Sequence, residues 1–190
     1  MLATETMETV LDFWFAGDPD VLRTDPWFRQ SDRFDAEIAA RFGRAVKAAP
    51  DGTLDQWALT PFGALALLLV LDQFARNAHR GSPLAFAGDA HARHIARAAL
   101  DRGFDAALTP VQRVFVYLPF EHAESMVDQD ASVRLFASLP ASAWRDGAVA
   151  SAERHREVIR RFGRFPARNL ALGRANTADE AAYLAEGGGF

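Results

Sequence analysis

The sequence predicts an all-α fold. Three observations support this: apolar residues recur at helical spacing, capping and breaking residues mark helix ends, and no segment alternates apolar and polar residues as a half-buried strand does. The chain has 190 residues, 49% apolar and 24% charged, which fits an ordinary globular domain. We expect about eight or nine helices in a single domain over 1–190, with a frayed glycine-rich tail over 187–190.

The first helices are predicted from breakers and caps. Residues 9–15 are mostly apolar and end at Gly17-Asp18-Pro19, a cluster that breaks helices. Ser31 can cap the next helix, because its hydroxyl can accept a backbone N–H from the first turn. The apolar positions of that helix are spaced four apart: Phe34, Ile38, Phe42 and Val46.

A central helix is predicted to begin at Thr60-Pro61, where a capping hydroxyl precedes a proline at the first helical position. Residues 62–71 are apolar on all sides, which is typical of a helix in the middle of a core. The stretch is about half of the ~20 residues needed to cross a bilayer, and Asp72 ends it. We therefore expect a buried helix and no membrane contact.

The second half contains similar signals. One helix is predicted over 89–102 and stops at Gly103, a usual residue just past a helix end. Thr109-Pro110 repeats the threonine–proline start, and Pro119 is expected to interrupt or kink that helix. A new helix is then predicted over 121–139.

The last two helices have well-marked ends. One is predicted over 144–162, where Gly163 allows a left-handed turn out of the helix. In the other, Thr177 and Glu180 have the spacing of a capping box, in which each side chain bonds the backbone of the other residue.

Composition excludes several kinds of site and partner. The absence of cysteine excludes disulfides, thiolate metal sites and a cysteine nucleophile, and it fits a reducing, cytoplasmic location. Residues 1–15 carry acids and no basic residue, so we expect no secretory signal. The net charge of -4 argues against nucleic acid as a partner, because such domains usually carry basic patches. These features leave the oligomeric state open.

Charge is distributed unevenly along the chain. Residues 1–25 contain six acids and one arginine, whereas 153–174 contain seven arginines and two glutamates. Two interpretations are open. The acidic and basic ends pair with each other or are simply solvated, or the C-terminal third contains an anion site.

Polar side chains gather at the end of the central helix. Four candidate ligand-binding residues would share one face if the helix continues: Gln73, Arg76, Asn77 and Arg80. Asp72 lies four residues before Arg76, so the two can pair. In the alternative interpretation, the arginines only stabilise the carbonyl end of a helix.

A second polar group follows Tyr117, which joins the ligand-binding candidates. On a helix beginning near Pro119, His122 and Ser125 lie three residues apart, with Glu124 close by. A histidine with a nearby carboxylate can act as a general base, which makes His122 and Glu124 the candidate catalytic residues. The alternative is a hydrogen-bonded structural histidine.

A third polar group follows Gly163. Arg164, Arg168 and Asn169 lie on a loop that Pro166 stiffens. Guanidinium groups suit a carboxylate or phosphate ligand. The alternative is that these arginines tie the loop to helix ends and to acidic neighbours.

No metal ion or cofactor is implied by the sequence. His91 and His94 could offer ligands on one helix face, but Arg93 and Arg97 beside them would oppose a cation. Phosphate-binding loops, dinucleotide fingerprints and nucleophile-elbow motifs are absent from the sequence.

Together, these segments are similar to a bacterial family, with fungal and plant members, known only as a conserved domain of unknown function. The resemblance covers nearly the whole chain. The matching sequences are Asp12-Phe13-Trp14-Phe15; Leu71-Asp72-Gln73-Phe74 with Arg76-Asn77 and Arg80-Gly81; Ala85-Phe86-Ala87 with Asp89; Tyr117-Leu118-Pro119-Phe120 with His122 and Glu124; and Arg161-Phe162-Gly163-Arg164-Phe165-Pro166 with Arg168-Asn169 and Leu172-Gly173-Arg174. The resemblance implies a tetratricopeptide-like stack of helix hairpins and no established activity.

Three functions are open. The first is a binding module, in which the polar segments line one arginine-containing pocket for a small anion or a peptide carboxylate. The second is a hydrolase- or lyase-type enzyme, with His122 as general base, Glu124 or Glu121 orienting it and Arg164 stabilising negative charge. In the third, the polar motifs are architectural and hold the helices in register, and the protein has an interaction role.

Overall fold

The computed structural model describes residues 5–16 and 18–189. Within these ranges the regular structure consists of α-helices, short 3₁₀ turns and one π-helical segment, without a β-strand. The predicted all-α fold is therefore confirmed. In chain order the α-helices are α1 (Met7–Phe15), α2 (Thr24–Trp27), α3 (Asp32–Ala48), α4 (Pro61–Leu68), α5 (Ala75–Ala78), α6 (Asp89–Asp101), α7 (Pro110–Glu121), α8 (Met126–Ala137), α9 (Arg145–Phe162) and α10 (Ala178–Ala185).

The first predicted helix ends are confirmed. Thr6 and Thr9 form a capping box at the start of α1. The predicted breaker follows α1, although Gly17 lies outside the described residues. At the start of α3, the Ser31 hydroxyl accepts the backbone N–H of Phe34 at 3.4 Å. The apolar face of α3 then turns inward, so that Ile38 and the other buried positions pack in the core.

The central helix is longer than α4 alone. Thr60 caps its start, where Oγ1 accepts the N–H of Gly63 at 3.1 Å. The π-helical segment Leu69–Phe74 follows α4 and leads directly into α5. All residues over 63–75 are buried, as predicted for a helix at the centre of the core, whereas Phe62 is 49% exposed. The π-helical turn was not predicted, because its wider hydrogen-bonding pattern has no reliable sequence signal.

The described residues fall into two compact units. The first comprises the residues up to Arg80 together with Leu84–Pro119. In this unit α4 packs against α1 and α6, and α3 packs against α5. Its aromatic core surrounds Trp14, whose ring centroid lies 5.7 Å from that of Trp27 and 5.5 Å from that of Phe115.

The second unit comprises Gly81–Pro83 and the residues from Phe120 onward. Here α8 and α9 pack along each other. A smaller apolar cluster at the end of α9 consists of Val158, Ile159 and Phe165. The single domain over 1–190 stays a prediction.

Two predictions for residues 119–125 are wrong: Pro119 does not interrupt the helix, and no new helix begins at residue 121. The kink at Pro119 stays a prediction. Helix α7 continues through Pro119 to Glu121, and the next helix begins only at Met126. A proline has a φ angle that suits a helix and costs one backbone hydrogen bond. Tyr117 and its apolar neighbours in α7 are buried, and their packing keeps the helix intact. The hydroxyl of Ser125 then accepts the N–H of Asp128 and starts α8.

The two C-terminal helices end where the sequence predicts. Helix α9 stops at Gly163, which has a left-handed φ of 70°. The predicted capping box of Thr177 and Glu180 starts α10. Beyond α10, the N–H of Gly188 donates to the carbonyl of Tyr183 at 2.9 Å. Phe190 lies outside the described residues, and the frayed tail over 187–190 stays a prediction.

Candidate functional site

The predicted site residues are distributed over both units. The first unit contains Gln73, Arg76, Asn77, Arg80 and Tyr117. The second unit contains His122, Glu124, Arg164, Arg168 and Asn169.

Arg76 is the centre of a buried ionic cluster in the first unit. Its Nη2 lies 3.1 Å from Asp72 Oδ1, and its Nη1 lies 2.9 Å from Asp89 Oδ1. The guanidinium also donates to the carbonyl of Ala85 and lies 4.8 Å from the centroid of the Phe86 ring. Burial alone would lower the pKa of Arg76, but the charges of the two carboxylates raise it above its ordinary value. The predicted pairing of residues 72 and 76 is confirmed.

The other polar residues of this motif bind two different carboxylates. Gln73 Nε2 donates to Asp72 Oδ2 at 2.6 Å, so it belongs to the Arg76 cluster. Asn77 Nδ2 instead donates to Asp35 Oδ1 at 2.6 Å. Arg80 donates to both oxygens of Asp35, from Nε at 2.8 Å and from Nη2 at 3.0 Å.

The prediction that four polar residues share one helix face is therefore wrong. Helix α5 ends at Ala78, so Arg80 lies beyond the helix. The π-helical segment also shifts the phase of the residues after it. Burial would raise the pKa of Asp35, but hydrogen bonds from Arg80 and Asn77 lower it, which keeps this carboxylate charged.

Tyr117 faces the interior of the first unit. Its side chain is buried, and its hydroxyl donates to Asp105 Oδ2 at 3.0 Å. A buried tyrosine usually needs such a partner for its hydroxyl. This contact gives Tyr117 a structural role.

In the second unit, Arg164 forms a bidentate ion pair with Glu180. Its Nε donates to Oε1 at 2.6 Å, and its Nη2 donates to Oε2 at 2.8 Å. Glu180 also accepts the backbone N–H of Thr177 at 2.8 Å. The hydrogen bonds from Arg164 are the largest cause that lowers the pKa of Glu180, from an ordinary 4.5 to about 2. This pair connects the loop after α9 to the first turn of α10.

A second arginine–glutamate ion pair lies beside the Arg164–Glu180 pair. Arg174 donates to both oxygens of Glu124, at 2.7 and 2.9 Å, and its Nε donates to Asn169 Oδ1 at 2.8 Å. Glu124 also accepts the N–H of Phe165 at 2.8 Å. Burial would raise the pKa of Glu124, whereas the hydrogen bonds from Arg174 and Phe165 lower it. Arg174 was not among the predicted site residues, although it belongs to the matching motif.

Arg168 connects the loop after α9 to the turn between α7 and α8. Its Nη2 donates to the carbonyl of His122 at 2.9 Å, and its guanidinium lies 4.5 Å from the centroid of the Phe165 ring. His122 is partly buried, with its ring centroid 6.2 Å from that of His155.

The sequence interpretation missed a buried acid–base pair in this unit. His155 Nδ1 lies 3.0 Å from Glu121 Oε1 and 2.9 Å from the carbonyl of Ser151. The Ser151 hydroxyl donates to the same glutamate oxygen at 3.0 Å. His155 and Glu121 are only 8% and 3% exposed. They are far apart in sequence, so no spacing pattern could have indicated the pair.

The catalytic assignment of His122 and Glu124 stays a prediction. The two carboxylates proposed to orient His122 have other partners, because Glu121 bonds His155 and Glu124 bonds Arg174. The Ser151 hydroxyl bonds the carboxylate rather than a histidine nitrogen that could activate it as a nucleophile. The buried pair can therefore connect Glu121, the last residue of α7, to α9 within the second unit.

In residues 5–16 and 18–189, no group of three or more histidine or carboxylate side chains is placed to hold a metal ion. His91 Nε2 lies 2.7 Å from Asp55 Oδ1. None of the helices in these ranges is both long enough and apolar enough to cross a membrane.

Comparison with known families places these motifs in context. Residues 10–188 match a family described as bacterial proteins of unknown function, DUF924. The chain belongs to this family. The resemblance inferred from the sequence motifs is thus confirmed, and the DUF924 match includes every predicted site residue.

A solved structure has a similar fold. It is that of a protein of unknown function from Agrobacterium tumefaciens, which is 39% identical to this DUF924 chain. The match covers 95% of this chain and 97% of the other, with a TM-score of 0.84. No match was found among curated proteins. The DUF924 comparisons therefore support the helical fold and name no activity.

Proposed function

We propose that the protein is a helical interaction module, in which the arginine motifs hold the helices in register rather than bind a ligand. One observation carries this proposal: four motif arginines each contact a carboxylate of their own unit at 2.6 to 3.1 Å. These arginines are Arg76, Arg80, Arg164 and Arg174.

Such pairing opposes binding of a small anion. Arg164 and Arg174 each use two donors on one carboxylate, which is the arrangement that an external carboxylate or phosphate would need. A ligand would have to displace Glu180 or Glu124 and leave that carboxylate without its partner. The anion or peptide-carboxylate pocket stays a prediction, and the architectural interpretation agrees better with these contacts.

The interaction role is supported by the helix arrangement. Helices α8 and α9 follow each other after a short connection and pack together as a hairpin. We propose that this hairpin belongs to a tetratricopeptide-like stack, an architecture that provides extended binding surfaces. The cysteine-free composition supports a cytoplasmic location for such a module.

A thermal-shift screen tests the proposal. Carboxylate- and phosphate-containing metabolites are added to the wild type, Arg76→Ala and Arg164→Ala, with the exposed Arg160→Ala as control. We expect the first two variants to melt earlier than the wild type, Arg160→Ala to melt with it, and no anion to raise the wild-type Tm.

A ligand at 100 times its Kd would add about 2.7 kcal/mol to the free energy of unfolding, which is several degrees in Tm. An anion that raises the wild-type Tm by that amount and fails to stabilise Arg76→Ala or Arg164→Ala would overturn the architectural interpretation. It would then favour an anion pocket.

A further inference from the structure

A recess of about 290 Å³ opens between α1 and the first turn of α4 in the first unit. Its apolar walls come from Met7, Leu11 and Phe62. Two carboxylates of α1, those of Glu8 and Asp12, lie at its edge. None of the predicted site residues takes part in it.

One wall of the recess is formed at Gly63, where α4 packs closely against the turn that precedes it and against the Met7 side chain of α1. A Cβ atom at Gly63 would lie 2.0 Å from the carbonyl oxygen of Trp57 and 2.7 Å from the sulfur of Met7. Only glycine allows this approach, since contacts under 3.0 Å essentially never occur for a real Cβ. The wall of the recess is thus built by a specific packing contact, with Thr60 capping the helix beside it.

The edge of the recess is acidic. Glu8 and Asp12 lie four residues apart on α1, so they point to the same side of the helix, and both are exposed. In the part of the chain that the structure describes, neither forms an ion pair, whereas the nearby Glu5 contacts Arg44. No basic side chain lines the recess. A cationic group beside it would therefore find two available negative charges.

The size of the recess favours a single side chain of a partner protein over a small molecule. Pockets that enclose drug-sized ligands measure about 300 to 1,000 Å³, so 290 Å³ is at the lower limit. A single bulky side chain, of the kind that anchors protein interfaces, needs less room. Phe62, in the wall of the recess, is 49% exposed, and Leu59, which precedes the lining residue Thr60 in the sequence, is 68% exposed.

We propose that this recess is a docking site for a basic amphipathic helix of a partner protein. A bulky apolar side chain of that helix enters between Met7, Leu11 and Phe62. Lysine or arginine side chains one turn away contact Glu8 and Asp12. This inference rests on the proposed function as an interaction module, and it adds the chemical class of the partner.

The test uses a fluorescently labelled peptide of about 18 residues, long enough to form a helix, with leucine and phenylalanine on one face and arginine on the flanks. Anisotropy titration of the full-length protein measures its Kd. We expect micromolar binding. We also expect at least about tenfold weaker binding by the same peptide with glutamate in place of arginine, because charge complementarity sets specificity.

Variants of the protein locate the site. Phe62→Ala removes an exposed wall, and the double variant Glu8→Gln, Asp12→Asn removes the charges; each should weaken binding about fivefold or more. The control Glu153→Gln, Asp179→Asn removes the same charge from exposed positions of the second unit and should leave Kd unchanged. Circular dichroism melts confirm that all variants fold.

Three outcomes would overturn the proposal: no binding of the basic peptide, equal binding by the recess variants, or a monomer–dimer equilibrium that the recess variants abolish. The last outcome would identify a second copy of the chain as the occupant. The melting of Arg76→Ala and Arg164→Ala tests the proposed function. It is independent of peptide binding, because both residues lie outside the recess. Failure of this inference is thus distinguishable from failure of the proposed function.

Discussion

Replacing Glu180 by glutamine tests whether the arginine motifs carry stability. Glu180 is 2% exposed and accepts hydrogen bonds from both Arg164 donors, from Asn169 and from the N–H of Thr177. Glutamine keeps the shape of the side chain and one acceptor, but it removes the negative charge that Arg164 faces.

The pKa of Glu180 gives the expected size of the effect. It falls from an ordinary 4.5 to about 2, and each pKa unit corresponds to about 1.4 kcal/mol, so the pairing contributes at most ~3.5 kcal/mol. The Arg164 side chain is 29% exposed, and water screens it, so we expect the variant to lose about 1 to 3 kcal/mol. For a chain of this size that loss lowers Tm by roughly 3 to 10 °C.

The pH dependence provides an internal check. Because folding lowers this pKa, the stabilisation is complete above pH 4.5, the pKa in the unfolded chain, and is lost as pH falls toward about 2. Urea denaturation followed by circular dichroism, at pH 7 and at several values down to pH 3, measures both proteins. The difference between wild type and Glu180→Gln should be largest at pH 7 and shrink below pH 4.5.

The matched control is Glu186→Gln, an exposed glutamate at the other end of the same helix. It should change stability by less than about 0.5 kcal/mol. The reasoning is refuted if Glu180→Gln is as stable as the wild type at pH 7, or if its loss of stability is the same at pH 3 as at pH 7.

Four further substitutions test other contacts. Arg76→Gln leaves the buried carboxylate of Asp72 and the partly buried carboxylate of Asp89 without their cation and should cost about 3 to 5 kcal/mol in urea denaturation; a loss below 1 kcal/mol would mean that the cluster is effectively solvated. Gly63→Ala forces a Cβ against the carbonyl of Trp57 and should cost about 1 to 3 kcal/mol, so an unchanged Tm would contradict the close packing of α4 against the turn that precedes it. Gly163→Ala, at a φ of 70°, should cost about 1 kcal/mol, whereas Gly147→Ala in α9, with open space around it, should stabilise by up to about 1 kcal/mol; melting curves that rank them in the opposite order would contradict the assigned helix end.

Local features of the fold could be predicted from the sequence. The caps at Ser31, Thr60 and Thr177 depend on a hydroxyl and on backbone groups within three residues of it. The helix end at Gly163 likewise depends on one residue with access to left-handed backbone angles. Such signals depend on a few consecutive residues, so they can be recognised without knowledge of tertiary contacts.

Tertiary contacts decide the features that were missed. Pro119 stays inside α7 because apolar neighbours on the same helix are buried, which a rule about proline alone does not include. The sequence motifs contain the polar residues of these contacts but do not indicate their partners. Asp35 binds Arg80 from a distant helix, and Glu121 binds His155 in the same way. These pairings depend on how helices meet, so periodicity within one helix cannot predict them.

The π-helical turn at Leu69–Phe74 sets the angular position of everything that follows it on the central helix. An α-helix advances by about 100° per residue, and a π-helix advances by less because each turn holds about one more residue. Winding the same six residues as a regular α-helix would therefore rotate Arg76 by roughly 100°, away from Asp89. Gly88 lies directly against this turn, since a Cβ there would come within 2.7 Å of the Leu71 carbonyl. A change in the winding of the turn would alter the packing at both Arg76 and Gly88, and we expect functional variants to keep the π-helical turn.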